Sequence, residues 1–229
     1  VFGRTGVASA NFIVNPPRLT SPNTRAEHSI DKANAVLEAA GWKKGADGIR
    51  EKGGRKLRFV FQTSINPVRQ KVQQVWKQAC ARAGIDLELK GVQAAVFFSS
   101  DVGNPDTANK FWADLQMLGI AGRGPDPILL MLRFASWEIA SKANKWQGRN
   151  VSRWANDEYD RLFKASEGEL DPIKRAALLI QMNDLICNEY AVLPVAYRPL
   201  VTGLARRLVA MPSGWDTRLA DIADWYREA

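Results

Sequence analysis

The sequence predicts an α/β domain, and three observations carry that prediction. Two stretches, "KLRFVFQT" and "IDLELK", alternate apolar and polar residues as half-buried strands do. Between them, "NPVRQKVQQVWKQACARAGI" repeats apolar residues at helical spacing. Strand, long helix and strand make a βαβ unit, a right-handed crossover between parallel strands. Third, Asn or Asp followed by Pro recurs at Asn66-Pro67, Asp126-Pro127 and Asp171-Pro172, each ahead of an apolar run. A capping side chain with proline at the first helical position is a helix start.

The elements follow in order. Residues 1–28 are irregular or briefly extended, because Pro16, Pro17 and Pro22 block a helix. "SIDKANAVLEAAGW" is a helix with Ala33, Val36, Leu37 and Ala40 on one face and Gly41 as its stop. "KKGADGIREKGG" is a turn-rich hairpin. The first strand puts Leu57, Phe59 and Phe61 on one face and Arg58, Val60 and Gln62 on the other. The crossover helix carries one stripe of Val68, Val72, Val75, Trp76, Ala79 and Ala83, and Gly84 ends it. Ile85, Leu87 and Leu89 line the second strand. "NKFWADLQML" is a third strand. A helix from Pro127 through "ILLMLRFASW" follows, then a long polar loop, "EIASKANKWQGRNVSRWA". Asn156 opens a helix marked by Tyr159, Leu162 and Phe163. Asp171-Pro172 opens the last long one, to about Tyr190. "AVLPVAYRPLVTGLARRL" is extended, with Pro194 and Pro199 suited to edge positions. The tail is amphipathic or irregular.

Bulk properties exclude several function classes. The 229 residues are 46% hydrophobic and 24% charged, the balance of a globular chain and not of a disordered one. No apolar run approaches the roughly 20 residues of a membrane-spanning helix. The first residues, "VFGRTGVASANFIVNPPRLTSPNT", lack the basic start and apolar stretch of a signal peptide. The net charge of +8 is scattered. Its densest cluster, "GWKKGADGIREKGGRKLR", holds two acidic residues and no interleaved aromatics beyond Trp42, so nucleic acid is not the expected partner. Cys80 and Cys187 each fall inside a helical pattern, without metal-ligand spacing, and are expected as free thiols. The single histidine, His28, lies in a polar loop. The G-x-S-x-G and H-E-x-x-H signatures are absent. So thin a catalytic inventory counts against an enzyme, and no cofactor and no metal are expected.

The candidate site is the turn in "LQMLGIAGRGPDPILLMLRF". Gly119, Gly122 and Gly124 surround Arg123 between a strand and a helix start. Open α/β sheets bind ligands beyond the carboxyl ends of their strands, which is where this turn falls. Asp126 reads as the cap of the helix starting at Pro127.

These segments, in this order, resemble the C-terminal lobe of the oligopeptide/dipeptide-type solute-binding proteins of ABC importers (solute-binding family 5). The resemblance rests on the helix ending in "AGW" with its "DGI" turn and strand, and on "VWKQACARAGIDLEL". It continues through the Asp-Pro loop, "NDEYDRLF" and "DPIKRAALLIQMNDLICNEYAVLPV", covering about residues 1–205. It implies a two-lobed type II periplasmic-binding-protein-like fold. Residues 1–196 would be the C-terminal lobe, without its N-terminal part, and residues 197–229 a segment crossing back to the other lobe. Full-length members are more than twice this long, so the rest of the other lobe and a signal peptide would precede this chain. The resemblance further implies a monomeric periplasmic protein that captures a peptide-like or small anionic or zwitterionic solute and delivers it to an ABC permease. The alternative is a periplasmic enzyme or chaperone-like module on the same fold.

The resemblance also implies site residues. Peptide-binding members carry an aspartate for the peptide's α-ammonium in this loop. Here Gly119, Gly122, Asp126 and Pro127 match, and Arg123 stands at the aspartate's position, reversing the charge. A guanidinium offers a planar fork for carboxylate or phosphate. Met117 and Ala121 align with cleft-facing positions. Trp137 and Trp146 are candidate cleft walls, and Tyr197 and Arg198 lie near the crossing to the other lobe.

Overall fold

The computed structural model describes residues 3, 6–122, 124–197, 202–211, 219 and 221–228. Two compact units emerge. The first comprises Ala26–Gly119 and Ala140–Ser152. The second takes the described residues of Phe2–Arg25, Ile120–Ile139 and Arg153–Ala229.

In the first unit, helix α1 (Ile30–Ala39) starts where the Ser29 side chain accepts a hydrogen bond from the Lys32 amide. Its apolar stripe is only partly covered: Ala33 and Leu37 are half-buried, while Val36 and Ala40 are exposed. Three short strands, β1 (Lys43–Lys44), β2 (Arg50–Lys52) and β3 (Arg55–Lys56), form an antiparallel meander in place of a single hairpin. Arg50 ties this meander to its neighbours. Its guanidinium donates to Glu38 and Asn34 of α1, to the Trp42 carbonyl and to the Ala83 carbonyl.

The βαβ unit is present as expected. Strand β4 (Arg58–Ser64), helix α2 (Pro67–Arg82) and strand β5 (Asp86–Val92) follow in order, and β4 pairs with β5 in parallel from Arg58↔Asp86 to Ser64↔Val92. The Asn66 side chain caps α2 by accepting from the Val68 and Arg69 amides. The buried stripe of α2 departs from the expected one. Val75 is 55% exposed, whereas Gln73 is buried and its amide donates to the Phe61 carbonyl at 2.6 Å. A polar residue takes a core position there because it satisfies a strand carbonyl.

After the short helix α3 (Ala94–Phe97), the third strand, β6 (Leu115–Met117), pairs in parallel with β4. The sheet order is β5-β4-β6, so β4 is central. The third strand is shorter than expected, for a local reason. One residue before it, the Asp114 carboxylate accepts the Val60 amide at 2.7 Å, where a longer strand would place a carbonyl. Central position explains why β4 is buried from Phe61 to Ser64, polar residues included.

The second unit is built on helices. The expected helix through Trp137 is instead one turn, α4 (Ile128–Met131), followed by 3-10 turns at Leu132–Phe134 and Ser136–Glu138. Long-range acceptors and donors redirect this backbone: the Tyr159 hydroxyl donates to the Met131 carbonyl, and Asp160 accepts from the Ser136 amide. Pro127 sits one place before the helix, and Asp126 accepts from the Ile128 amide while pairing with Arg175 at 2.9 Å. Helices α5 (Asp157–Gly168) and α6 (Pro172–Asn188) begin at Asn156 and Asp171, each capping by side chain. Their core joins Tyr159, Leu162 and Phe163 to Leu179, Met182 and Ile186, with Ile13 and Met131. Asn183 is fully buried on α6. Its side-chain oxygen accepts the Phe12 and Ile13 amides, and its side-chain amide donates to Asn11. Val7–Ala8 pairs with Ala196–Tyr197, and Leu208–Val209 with Tyr226–Arg227, both antiparallel.

Candidate functional site

The carboxyl ends of β4, β5 and β6 lie side by side by virtue of the parallel register. The sheet is knitted together just short of that edge. The Thr63 hydroxyl donates to the Met117 carbonyl at 2.7 Å, and Gln62 reaches the Asp106 carbonyl and Gln116. The Gln116 amide in turn donates to the Ala108 carbonyl at 3.0 Å. Met117 is therefore held half-buried, and the chain leaves the sheet at Leu118 and Gly119.

Among the described residues, a cation sits at this edge. Arg69, in the first turn of α2, donates through Nη1 to the hydroxyl of Ser64, the last residue of β4. Its Nη2 lies 3.6 Å from the point where a Cβ on Gly119 would stand. Its guanidinium carbon is 5.9 Å from the centroid of the Phe98 ring, which is 57% exposed. Sequence reading missed Arg69, although one signal was available. A cation in the first turn of a helix opposes the helix dipole, which favours anions there.

Trp146 lies elsewhere in the same unit. Its ring packs edge-on against Trp112 at 5.0 Å, Lys110 Nζ is 6.0 Å from its centroid, and Asn109 donates to its carbonyl. Lys145 and Trp146 both have left-handed backbone, with φ of 53° and 60°. Non-glycine residues in that region cost about 1–3 kcal/mol each and concentrate at functional sites. The adjoining hollow, lined by Asp101, Thr107, Asn109, Lys110 and Trp146, encloses about 10 Å³, room for about one water.

The remaining predicted residues divide between the units. Met117, Gly119 and Trp146 belong to the first; Ala121, Gly122, Trp137 and Tyr197 belong to the second. Ala121 and Gly122 are exposed, and a Cβ on Gly122 would stand 3.3 Å from Leu130 Cδ1. Trp137 stacks edge-on against Phe163 at 5.4 Å with Lys164 Nζ 4.1 Å from its centroid, so part of its surface serves the unit's own packing. Tyr197 is 40% exposed at its strand pair. Arg123 and Arg198 lie outside the described residues.

Among the described residues no cluster of three or more His, Cys, Asp or Glu is placed to hold a metal ion, and no helix is long and apolar enough to cross a membrane. Both cysteines are free thiols; burial pushes Cys187 up to about 11, and burial also raises Cys80.

Comparison with known proteins follows the same lines. Residues 1–141 match the bacterial extracellular solute-binding proteins, family 5 (middle). The dipeptide-binding protein DppE of Bacillus subtilis is 27% identical over 154 residues, 66% of this chain and 25% of its own length. The di/tripeptide-binding protein 4 of Pseudomonas aeruginosa is 26% identical over 207 residues, 87% of this chain and 34% of its own. The chain thus spans about a quarter to a third of the curated relatives it matches. Among solved structures, the oligopeptide-binding protein of Thermus thermophilus, complexed with a pentapeptide, superposes with a TM-score of 0.71 at 26% identity. That match covers 83% of this chain and 33% of the other. NikZ of Campylobacter jejuni, in complex with Ni(L-His), gives 0.72 at 17% identity, covering 97% and 44%. The fold class is that of these two-lobed binding proteins.

Proposed function

Because the chain belongs to the bacterial extracellular solute-binding proteins of family 5, we propose that it is part of the binding component of an ABC importer. In this reading the component captures a peptide-like or small anionic or zwitterionic solute between two lobes and hands it to the permease. The protein works as an exported, periplasmic monomer without catalysis, and the stretch from residue 197 onward crosses back to the other lobe. The observation that carries the reading is the site's position. A family 5 chain leads the last strand of its parallel sheet, β6, directly into the turn at Gly119–Gly122. Ligands of open α/β sheets bind beyond that strand end.

Within that turn, Arg123 is the residue proposed to set the sign of the ligand charge, since the resemblance puts it where peptide-binding members would carry aspartate. Gly119, Ala121 and Gly122 are proposed to give the ligand backbone to approach, beside Met117; Trp137, Trp146, Tyr197 and Arg198 are proposed as ligand contacts on the strength of the resemblance alone. Aromatic walls with a few convergent polar groups are what small-molecule sites use. The test is a melting screen of the full-length protein against peptides, amino-acid conjugates and organic acids, run beside a generic hydrolase screen. A solute that raises the melting temperature and is recovered unchanged supports capture. A solute that is cleaved, or no stabilising solute at all, counts against it.

A further inference from the structure

The net charge is scattered along the sequence but gathered in the fold. The first unit holds 17 lysines and arginines against ten acidic residues, which is +7 of the chain's +8. Helix α2 carries four of those cations, Arg69, Lys71, Lys77 and Arg82, and no acid. Arg69 turns to Ser64. Helical spacing puts Lys71, Gln74, Val75, Gln78 and Arg82 on one exposed face, with Lys77 half-buried at its flank. From Lys71 to Arg82 the row runs roughly 16 Å at the α-helical rise. Lys44 of the meander extends it, because its Nζ donates to the Arg82 carbonyl at 3.4 Å. The nearby acids stay off this face. Asp86 and Glu88 alternate with Leu87 and Leu89 along β5, and Leu89 is the register partner of Phe61, whose ring meets Trp76 of α2 at 5.6 Å. The two acids therefore lie on the other side of the sheet. Glu38 and Asp47 are engaged by Lys43, Arg50, Lys56 and Arg58. Among the described residues, the side chains of Lys71, Lys77 and Arg82 meet no carboxylate.

We propose that this face of α2, together with Lys44, is a docking surface for an anionic lipid bilayer. A plane of negative headgroups attracts each nearby Lys or Arg strongly enough to tighten binding about fivefold. Between the cations stand Gln74, Gln78 and Val75, with no aromatic among them. Protein interfaces are anchored by aromatics seated in pockets, and nucleic-acid surfaces interleave cations with aromatics that stack on bases. The one aromatic of α2, Trp76, packs inward on Phe61 instead. Charge spread along an exposed helix face suits a partner that is itself a sheet of charge. The docking is peripheral, since Val75 is the one exposed large apolar side chain the face offers to acyl chains. It is also salt-sensitive, because the screening length falls from about 10 Å at 0.1 M salt to about 3 Å at 1 M. Docking of this kind is independent of solute capture.

The test is co-sedimentation of the full-length protein with vesicles of phosphatidylcholine alone and of phosphatidylcholine mixed with phosphatidylglycerol. At low salt, wild type should partition at least about tenfold more strongly onto the anionic vesicles, and it should come off them at about 1 M salt. Lys71→Gln with Arg82→Gln should weaken that binding by at least about tenfold. The exchange Lys71→Arg with Arg82→Lys keeps the charge and should leave binding within about twofold of wild type. Arg18→Gln with Lys174→Gln is the control. It removes the same charge from exposed positions of the second unit, and should change binding by less than about twofold. No preference of wild type for the anionic vesicles overturns the docking surface. So does an equal loss in the Lys71/Arg82 and Arg18/Lys174 double variants, which reduces the effect to net charge. Tighter binding to single-stranded RNA than to the anionic vesicles at the same salt makes the partner a nucleic acid and overturns it as well. Each of those results leaves solute capture standing.

Discussion

Arg50→Ala should unfasten the meander from the two helices beside it. The Arg50 side chain is 4% exposed, and its head group reaches acceptors on three separate segments. Nε donates to the Ala83 carbonyl at 2.9 Å, Nη1 to the Trp42 carbonyl at 2.5 Å and Nη2 to Asn34 Oδ1 at 2.9 Å. The contact with Glu38 lies at the surface, where solvent screens it, and adds little. At ~1.5 kcal/mol for each bond with a charged donor, these three amount to roughly 4–5 kcal/mol. Water reaching the half-buried Trp42 carbonyl returns some of that, so the expected net loss is about 3 kcal/mol. Urea unfolding of wild type and variant, followed by far-UV circular dichroism and tryptophan emission, measures it. The loss should appear in the transition that unfolds the first unit, because two compact units need not unfold together. Arg50→Lys should recover less than half, since an ammonium cannot span three acceptors. Acid gives a second arm. Hydrogen bonds from Lys43 and Arg50 hold the Glu38 carboxyl below its usual range. Its contribution is therefore present at neutral pH and is lost as pH falls through that lowered value. A loss below about 1 kcal/mol for Arg50→Ala would refute the hub.

Other outcomes follow from the same geometry. Gly84→Ala should cost about 2–3 kcal/mol in the same urea assay, because φ is +82° and a Cβ would meet Arg50 Cγ at 2.7 Å. Asn183→Ala strands the Phe12 and Ile13 amides and should cost about 2–4 kcal/mol, seen as a lowered melting temperature. Iodoacetamide at pH 8 should label Cys187 far more slowly than a free thiol, and both cysteines should react at once in denaturant. Because the Cys187 value is raised to about 11, its stabilisation is full below the unfolded value and is lost as pH rises toward 11. Arg123→Ala in the full-length protein should weaken an anionic ligand by at least about tenfold with folding intact, by calorimetry. Unchanged affinity would remove Arg123 from the site.

The strand–helix–strand unit was legible because its signals are local. Leu57, Phe59 and Phe61 alternate, Asn66 caps, and Gly84 stops. What escaped was fixed through space. Gln73 reads as polar surface until the Phe61 carbonyl beside it is known. Strand β6 reads as ten residues until Asp114 takes the Val60 amide. The helix after Pro127 reads as continuous until Tyr159 and Asp160 claim its backbone. The candidate site divides the same way. Its turn was visible as glycines around one arginine between a strand and a helix start. Arg69 was not, because Ser64, Phe98 and Gly119 meet it only once three strands stand in parallel register.

Native mass spectrometry of the full-length protein, purified under mild conditions from the cells that make it, tests solute capture most directly. Capture predicts one small solute per chain, carried through purification, released on unfolding and chemically unchanged when offered back to fresh protein. Full-length protein that carries no solute and takes up none from a cell extract, or that converts the solute it is given, would contradict it.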